Sequence, residues 1–189
     1  ILDGKISDTN RIDKIIPTIG LLLSKNAKII IISHVGRPKG KFKSELSLQP
    51  IRDNLSSQVK ENIKLEKTSI FNLKKDDLFK SADDKIIILE NIRFYPEEEN
   101  NNEKFSEHLA KLGDIYVNDA FSCSHREHAS VTSITKFIPS YYGIQMNSEV
   151  EALKKITTEI KKPITCIIGG SKISSKINVI KNLIPKFDN

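Results

Sequence analysis

The chain reads as an α/β protein: an open parallel sheet with helices on both faces, three layers in all. Short, near-continuous Ile, Val and Leu runs recur along the sequence, as strands buried on both faces require. Helical apolar periodicity fills the intervals between them, the alternation from which parallel sheets are built. The length of 189 residues allows one domain with a sizeable core and the start of another.

Taken in order, Ile12, Ile15, Ile16, Ile19, Leu22 and Leu23 share one helical face over residues 9–25, with Asp8 or Thr9 as N-cap and Pro17 as a kink. Residues 28–33 form a β-branched run bounded by Asn26 and Gly36 and predict a buried strand. Residues 48–60 read as a weak helix, 63–66 as a short strand, and 85–89 as another Ile-rich strand. The low-complexity patch 97–102 reads as an exposed loop. A helix follows over 103–112 with Phe105, Leu109 and Leu112 inward, then a strand over 114–118. Amphipathic periodicity predicts a helix over 148–161, an apolar run a strand over 163–168, and the residues after Gly169-Gly170 a helix over 173–186. This divides the chain into a first domain, 1–147, and the beginning of a second, 148–189.

Composition bounds the function. No stretch is long and apolar enough to span a membrane, and the first residues lack a basic region followed by an apolar one, so the chain reads as soluble and cytoplasmic. Cys123 and Cys166 stand far apart without Cys or His at metal-ligand spacing, which predicts free thiols. The net charge of +6 raises nucleic acid as a partner, but the positive charge is scattered lysine, aromatics make up 6% with no Trp, and no recognition module is present. Five of the 30 basic residues are arginines, at Arg11, Arg37, Arg52, Arg93 and Arg126. A chain that otherwise uses Lys places a planar fork of donors at these points.

Ligands of open α/β sheets gather at the carboxyl ends of the strands. His34, Gly36 and Arg37 follow the strand ending at Ser33; Asn91 and Arg93 follow Leu89; Asp119, His125 and Arg126 follow Asn118; Lys172 follows Ile168. Arg11 opens a helix, whose start lies on the same side of the sheet in a right-handed unit. Four arginines therefore converge on one rim, where an anion bearing phosphate and carboxylate would neutralise them and use their bidentate forks. Arg52 is read as solvated, His34 as a ligand contact, His128 as structural and His108 as surface. Lys172 and Lys176 stand four residues apart near a helix start, where the macrodipole opposes positive charge unless a phosphate binds there. The glycine pattern matches neither a P-loop nor a dinucleotide fingerprint.

Ser33-His34-Val35-Gly36-Arg37-Pro38-Lys39-Gly40 resembles the glycine-arginine-proline motif of phosphoglycerate kinases. Leu89-Glu90-Asn91-Ile92-Arg93-Phe94 and Val117-Asn118-Asp119-Ala120-Phe121, continuing through His125-Arg126-Glu127-His128-Ala129-Ser130, resemble two more. Gly169-Gly170-Ser171-Lys172 with Lys176 is similar to the segment that opens that family's nucleotide domain. Ser122 and Cys123 depart from it, standing where many members have glycine and threonine.

The resemblance implies a Rossmann-like fold, a 3-phosphoglycerate-binding first domain lacking its first strand, and, in 148–161, the helix joining two domains. It implies that Arg11, His34, Val35, Gly36, Arg37, Arg93 and Arg126 hold 3-phosphoglycerate or 1,3-bisphosphoglycerate. Arg11 and Lys172 serve the transfer, and Gly170, Lys172 and Lys176 the ATP or ADP phosphates. The reaction implied is reversible phosphoryl transfer between 1,3-bisphosphoglycerate and ADP, in glycolysis, by a monomeric enzyme using Mg. The acidic metal ligand and the adenine and ribose contacts are expected outside this chain, so the chain alone is expected to be inactive. A non-catalytic anion-binding module of the same fold is the alternative.

Overall fold

A computed structural model describes residues 6–169 and 177–188. The chain forms two compact units, Ile1–Met146 and Asn147–Asn189.

In the first unit, β1 (Ile29–Ile31), β2 (Ile63–Glu66) and β3 (Ile86–Leu89) make a parallel sheet with β3 in the middle. Ile86 of β3 aligns with Ile29 on one side and Ile63 on the other. Successive side chains of a strand point to opposite faces, and in β3 both sets are buried. Ile86 and Ile88 join one core with Ile12, Ile19, Leu48 and Leu55; Ile87 and Leu89 join another with Ile70, Phe105 and Leu109. All four β3 residues are at most 1% exposed, which is why the run is continuously apolar rather than alternating. The first core is closed by α2 (Ile16–Ser24) and α3 (Gln49–Val59), and the second by α5 (Glu103–Ala110), giving the layers expected. A second parallel pair joins β4 (Tyr116–Asn118) to β5 (Ser140–Tyr142).

Several boundaries differ from those read from the sequence. The helix expected over 9–25 is two helices, α1 (Asn10–Asp13) and α2, parted by a turn at Lys14 and Ile15. Pro17 lacks the N–H that a continuous helix would use and sits in the first turn of α2, where no intrahelical donor is needed. Asp8 Oδ1 accepts the Asn10 N–H at 2.9 Å, whereas Thr9 Oγ1 donates to Asp13 instead of capping. Residues 97–102 are not an exposed loop. Pro96–Glu99 is a helical turn, α4, with Glu98 buried, and Asn102 caps α5 by accepting the Phe105 N–H at 3.0 Å. Proline followed by acids is a helix start, and its charge disguised one inward-facing carboxylate.

In the second unit α6 (Ile144–Thr157), which begins in the first, runs four residues ahead of the expected helix, and α7 (Ile177–Leu183) ends in a 3-10 turn at Ile184–Lys186. No strand forms over 163–168 among the described residues. A strand needs a neighbour's ladder, and here Ile164 exchanges its bonds with Asp188 alone: Ile164 N–H reaches Asp188 Oδ2 at 2.9 Å and Asp188 N–H reaches Ile164 O at 3.0 Å. Ile168, Ile180, Leu183 and Phe187 line a small apolar pocket within this unit. Among the described residues no helix is long and apolar enough to cross a membrane.

Candidate anion site

The site grows from the carboxyl end of β3. Glu90 continues the strand by donating its N–H to Glu66 O at 3.0 Å. Its carboxylate then gathers the loop that follows β1: Oε2 accepts from Ser47 Oγ at 2.7 Å, and Oε1 from the Leu48 N–H at 2.8 Å and the Asn91 N–H at 2.9 Å. Asn91 is fully buried and donates through Nδ2 to Val35 O at 2.8 Å and Leu46 O at 2.9 Å. Its Oδ1 accepts the Arg93 N–H at 3.1 Å. Ile92 N–H closes on Ser33 O at 3.1 Å. Two adjacent polar side chains thus fix the Gly36-Arg37-Pro38 loop against the turn that carries Arg93. Gly36 tolerates this because its φ is +66°, and a Cβ there would sit 2.8 Å from Leu46.

Arg93 is 3% exposed. Its Nη1 donates to Gly36 O at 3.3 Å, and Nε lies 3.5 Å from Glu99 Oε1, an ion pair without a hydrogen bond. Nε and Nη2 are buried with no hydrogen-bond partner. A guanidinium in that state carries a desolvation cost that the single ion pair with Glu99 offsets only in part. Burial lowers its pKa, as does Arg126, against the opposing influence of Glu99, Cys123 and Glu98. His34 is more strongly affected: burial first, then Arg93, Arg126, His128 and Arg11, push its pKa down to about 4. Those four groups act on one imidazole, so Arg11, Arg93, Arg126 and His34 share one neighbourhood at the sheet's carboxyl edge.

Arg37 and Arg11 are exposed, the former next to the Gly36 carbonyl that Arg93 engages. Val35 uses its carbonyl on Asn91 and packs its side chain into the core. His125 is exposed, and His128 has Nδ1 3.6 Å from Glu98 Oε1. His108, expected at the surface, is half-buried with Nε2 3.0 Å from Leu73 O, because the inward face of α5 is wide enough to include it. Arg52, expected to be solvated, is also half-buried and pairs with Asp53 at 3.1 Å. Gly170, Lys172 and Lys176 lie outside the described residues. Cys123 and Cys166 are free.

Asp119 is used structurally. Its Oδ2 accepts from Thr18 Oγ1 at 2.6 Å and its Oδ1 from the Met146 N–H at 2.9 Å, while Thr18 Oγ1 accepts the Ile144 N–H at 3.0 Å. The end of β4, helix α2 and the first turn of α6 are thereby tied together. Glu90 and Glu98 carried no assigned role in the sequence reading; the signal for Glu98 was the Pro96 helix start. Among the described residues no group of three His, Cys, Asp or Glu side chains is placed to hold a metal ion.

The family model for phosphoglycerate kinase matches residues 1–189. The chain belongs to the phosphoglycerate kinase family. A phosphoglycerate kinase of Wolbachia pipientis wMel is 48% identical over 187 residues, covering 98% of this chain and 46% of that protein. One of Bartonella bacilliformis is 44% identical over 185 residues, with 98% and 46% covered. The solved phosphoglycerate kinase of Coxiella burnetii superposes with a TM-score of 0.87 at 34% identity, over all of this chain and 47% of its own. The enzyme from Pyrococcus horikoshii OT3 gives 0.83 at 27% identity, over 98% and 47%. The chain spans about half the length of the relatives it matches.

Proposed function

We propose that this chain carries the 3-phosphoglycerate-binding side of a phosphoglycerate kinase, the part that holds 3-phosphoglycerate or 1,3-bisphosphoglycerate during exchange of a phosphoryl group with ADP and ATP. One observation carries the reading: a buried Arg93 with two nitrogens that make no hydrogen bond, set beside Arg126 and a neutral His34. An anion entering there gains charge-assisted bonds whose donors are already desolvated and fixed, so little is lost to reorganisation. Arg11 and Arg37, at the exposed margin, would reach the ligand's outer charge, and Val35 and Gly36 would shape the loop beneath it. A substrate with a carboxylate at one end and a phosphate at the other matches several guanidiniums better than a single anion does.

Phosphoryl transfer relies on positioning and on neutralising charge around the transferring group, with little covalent work for the protein. Under this reading residues 1–147 form the substrate domain and 148–189 open the nucleotide side, with Gly170, Lys172 and Lys176 toward nucleotide phosphates and Lys172 and Arg11 toward the transferring group. A monomeric cytoplasmic enzyme of glycolysis is the setting this implies.

The test is an NMR titration of the chain with 3-phosphoglycerate. Resonances of His34, Arg37, Arg93 and Arg126 should shift together while those of Arg52 stay put. Equal shifts at Arg52 would mean that the anion binds basic surface indiscriminately.

A further inference from the structure

Glu98 is 2% exposed, and both of its carboxylate oxygens are directed at the segment that follows Arg126. Oε2 accepts the Ser130 N–H at 2.9 Å; Oε1 accepts from Ser130 Oγ at 2.7 Å and lies 3.6 Å from His128 Nδ1. Its main-chain oxygen accepts the Ala129 N–H at 2.9 Å. Tyr116 Oη donates to Ser130 O at 2.8 Å, and Ser106 Oγ to Ala129 O at 2.9 Å, so this short segment is held from three sides. On its other side Glu98 sits on α4, the turn that directly follows Arg93, and its neighbour Glu99 is the residue paired with Arg93 Nε. One turn of helix therefore touches both arginine-bearing segments.

We propose that Glu98 is a positioning residue for the anion site, fixing the segment of Arg126 and His128 at a set spacing from Arg93. The proposal rests on the reading that Arg93 and Arg126 face one phosphate- or carboxylate-bearing ligand. Two guanidiniums repel each other until the ligand arrives, and a loop carrying one of them would relax away if held only by apolar contact. A buried carboxylate resists this through several hydrogen bonds at once, and it satisfies a loop N–H that has no strand or helix partner. Bidentate recognition needs the forks held to within about half an ångström, which favours such support beneath the site.

Electrostatics and positioning predict opposite signs. Glu98→Gln removes a carboxylate near Arg93, which by charge alone tightens anion binding. By positioning it weakens binding, because an amide offers one acceptor oxygen where two are used. The measurement is the dissociation constant of 3-phosphoglycerate, by calorimetry, for the unmodified chain, Glu98→Gln, Ser130→Ala, the double variant and Ile87→Val. Ile87 is a buried β3 residue, so its variant loses stability without touching the polar cluster.

The expected result is about tenfold weaker binding for Glu98→Gln, the scale of a lost hydrogen bond to a charged group, and a smaller loss for Ser130→Ala. The double variant should be no weaker than Glu98→Gln alone, and Ile87→Val should bind normally despite a lower melting temperature. If Glu98→Gln does not fold, Ser130→Ala carries the same test. Unchanged or tighter binding in whichever of the two variants folds overturns the proposal. Absence of binding to the unmodified chain overturns the reading of the site, and this inference with it, and is recognisable because it needs no variant.

Discussion

At the scale of single residues, the proposed anion site is marked by the scarcity of arginine. Arg93 gives that scarcity a structural reason: its guanidinium is buried, with Nη1 on Gly36 O, Nε paired with Glu99 and Nη2 without a hydrogen-bond partner. What could not be read was the difference between residues of one type. Glu98 looks like its neighbours Glu97 and Glu99 in sequence, yet of the three only Glu98 is fully buried with both carboxylate oxygens hydrogen-bonded, which depends on the exact phase of a single helical turn. Arg52 and His108 are half-buried rather than solvated for a similar reason, since partial burial of a side chain follows from packing rather than from local pattern. His34 offers a prediction at this scale. With its pKa held at about 4 instead of the ordinary 6.5, the folded chain refuses a proton that the unfolded chain accepts between those values. Its contribution to stability is therefore complete above 6.5, and is lost as the pH falls toward and through 4. A bound anion should offset the part of the shift that comes from Arg93, Arg126 and Arg11, though not the part that comes from burial. Following the His34 ring proton by NMR should show no titration near neutrality in the free chain and a higher midpoint with 3-phosphoglycerate; a midpoint near 6.5 in the free chain would refute the account of its environment.

At the scale of elements, strands declared themselves where both faces are buried. β1, β2 and β3 stand close to their expected positions: β3 is a continuous apolar run because both of its faces are buried, whereas in β2 Ile63 and Leu65 pack into one core and Lys64 is exposed. β5 carries no apolar signal in the sequence: Ser140, Tyr141 and Tyr142 are all exposed, and parallel pairing with β4 defines the strand. The run at 163–168 was over-read for the complementary reason, having the composition of a strand without a ladder among the described residues. The connection from β5 to α6 carries a sharper constraint. A Cβ on Gly143 would come 2.2 Å from Asp119 Cγ, and Asp119 cannot swing aside without losing both Thr18 and the Met146 N–H. Gly143→Ala should therefore cost about 1–3 kcal/mol by overpacking. A thermal melt would measure the loss, and a melting temperature equal to that of the unmodified chain would show that the Asp119 tie is dispensable.

At the scale of the whole molecule, family membership and local chemistry support each other from independent directions. The match to phosphoglycerate kinases extends over residues 1–189, and the cationic rim, with Arg93 buried at its base, stands at the sheet edge where an α/β fold collects its ligands. On the proposed reading the rim recognises phosphate and carboxylate on one small molecule. The direct measurement is calorimetric comparison of 3-phosphoglycerate with inorganic phosphate and with glycerate, repeated on Arg37→Lys. The account predicts that 3-phosphoglycerate binds more tightly than either part alone. It also predicts that Arg37→Lys weakens that binding by about tenfold although charge is conserved, since an ammonium cannot present a planar pair of donors. Equal affinity for inorganic phosphate and 3-phosphoglycerate, unaffected by Arg37→Lys, would contradict it.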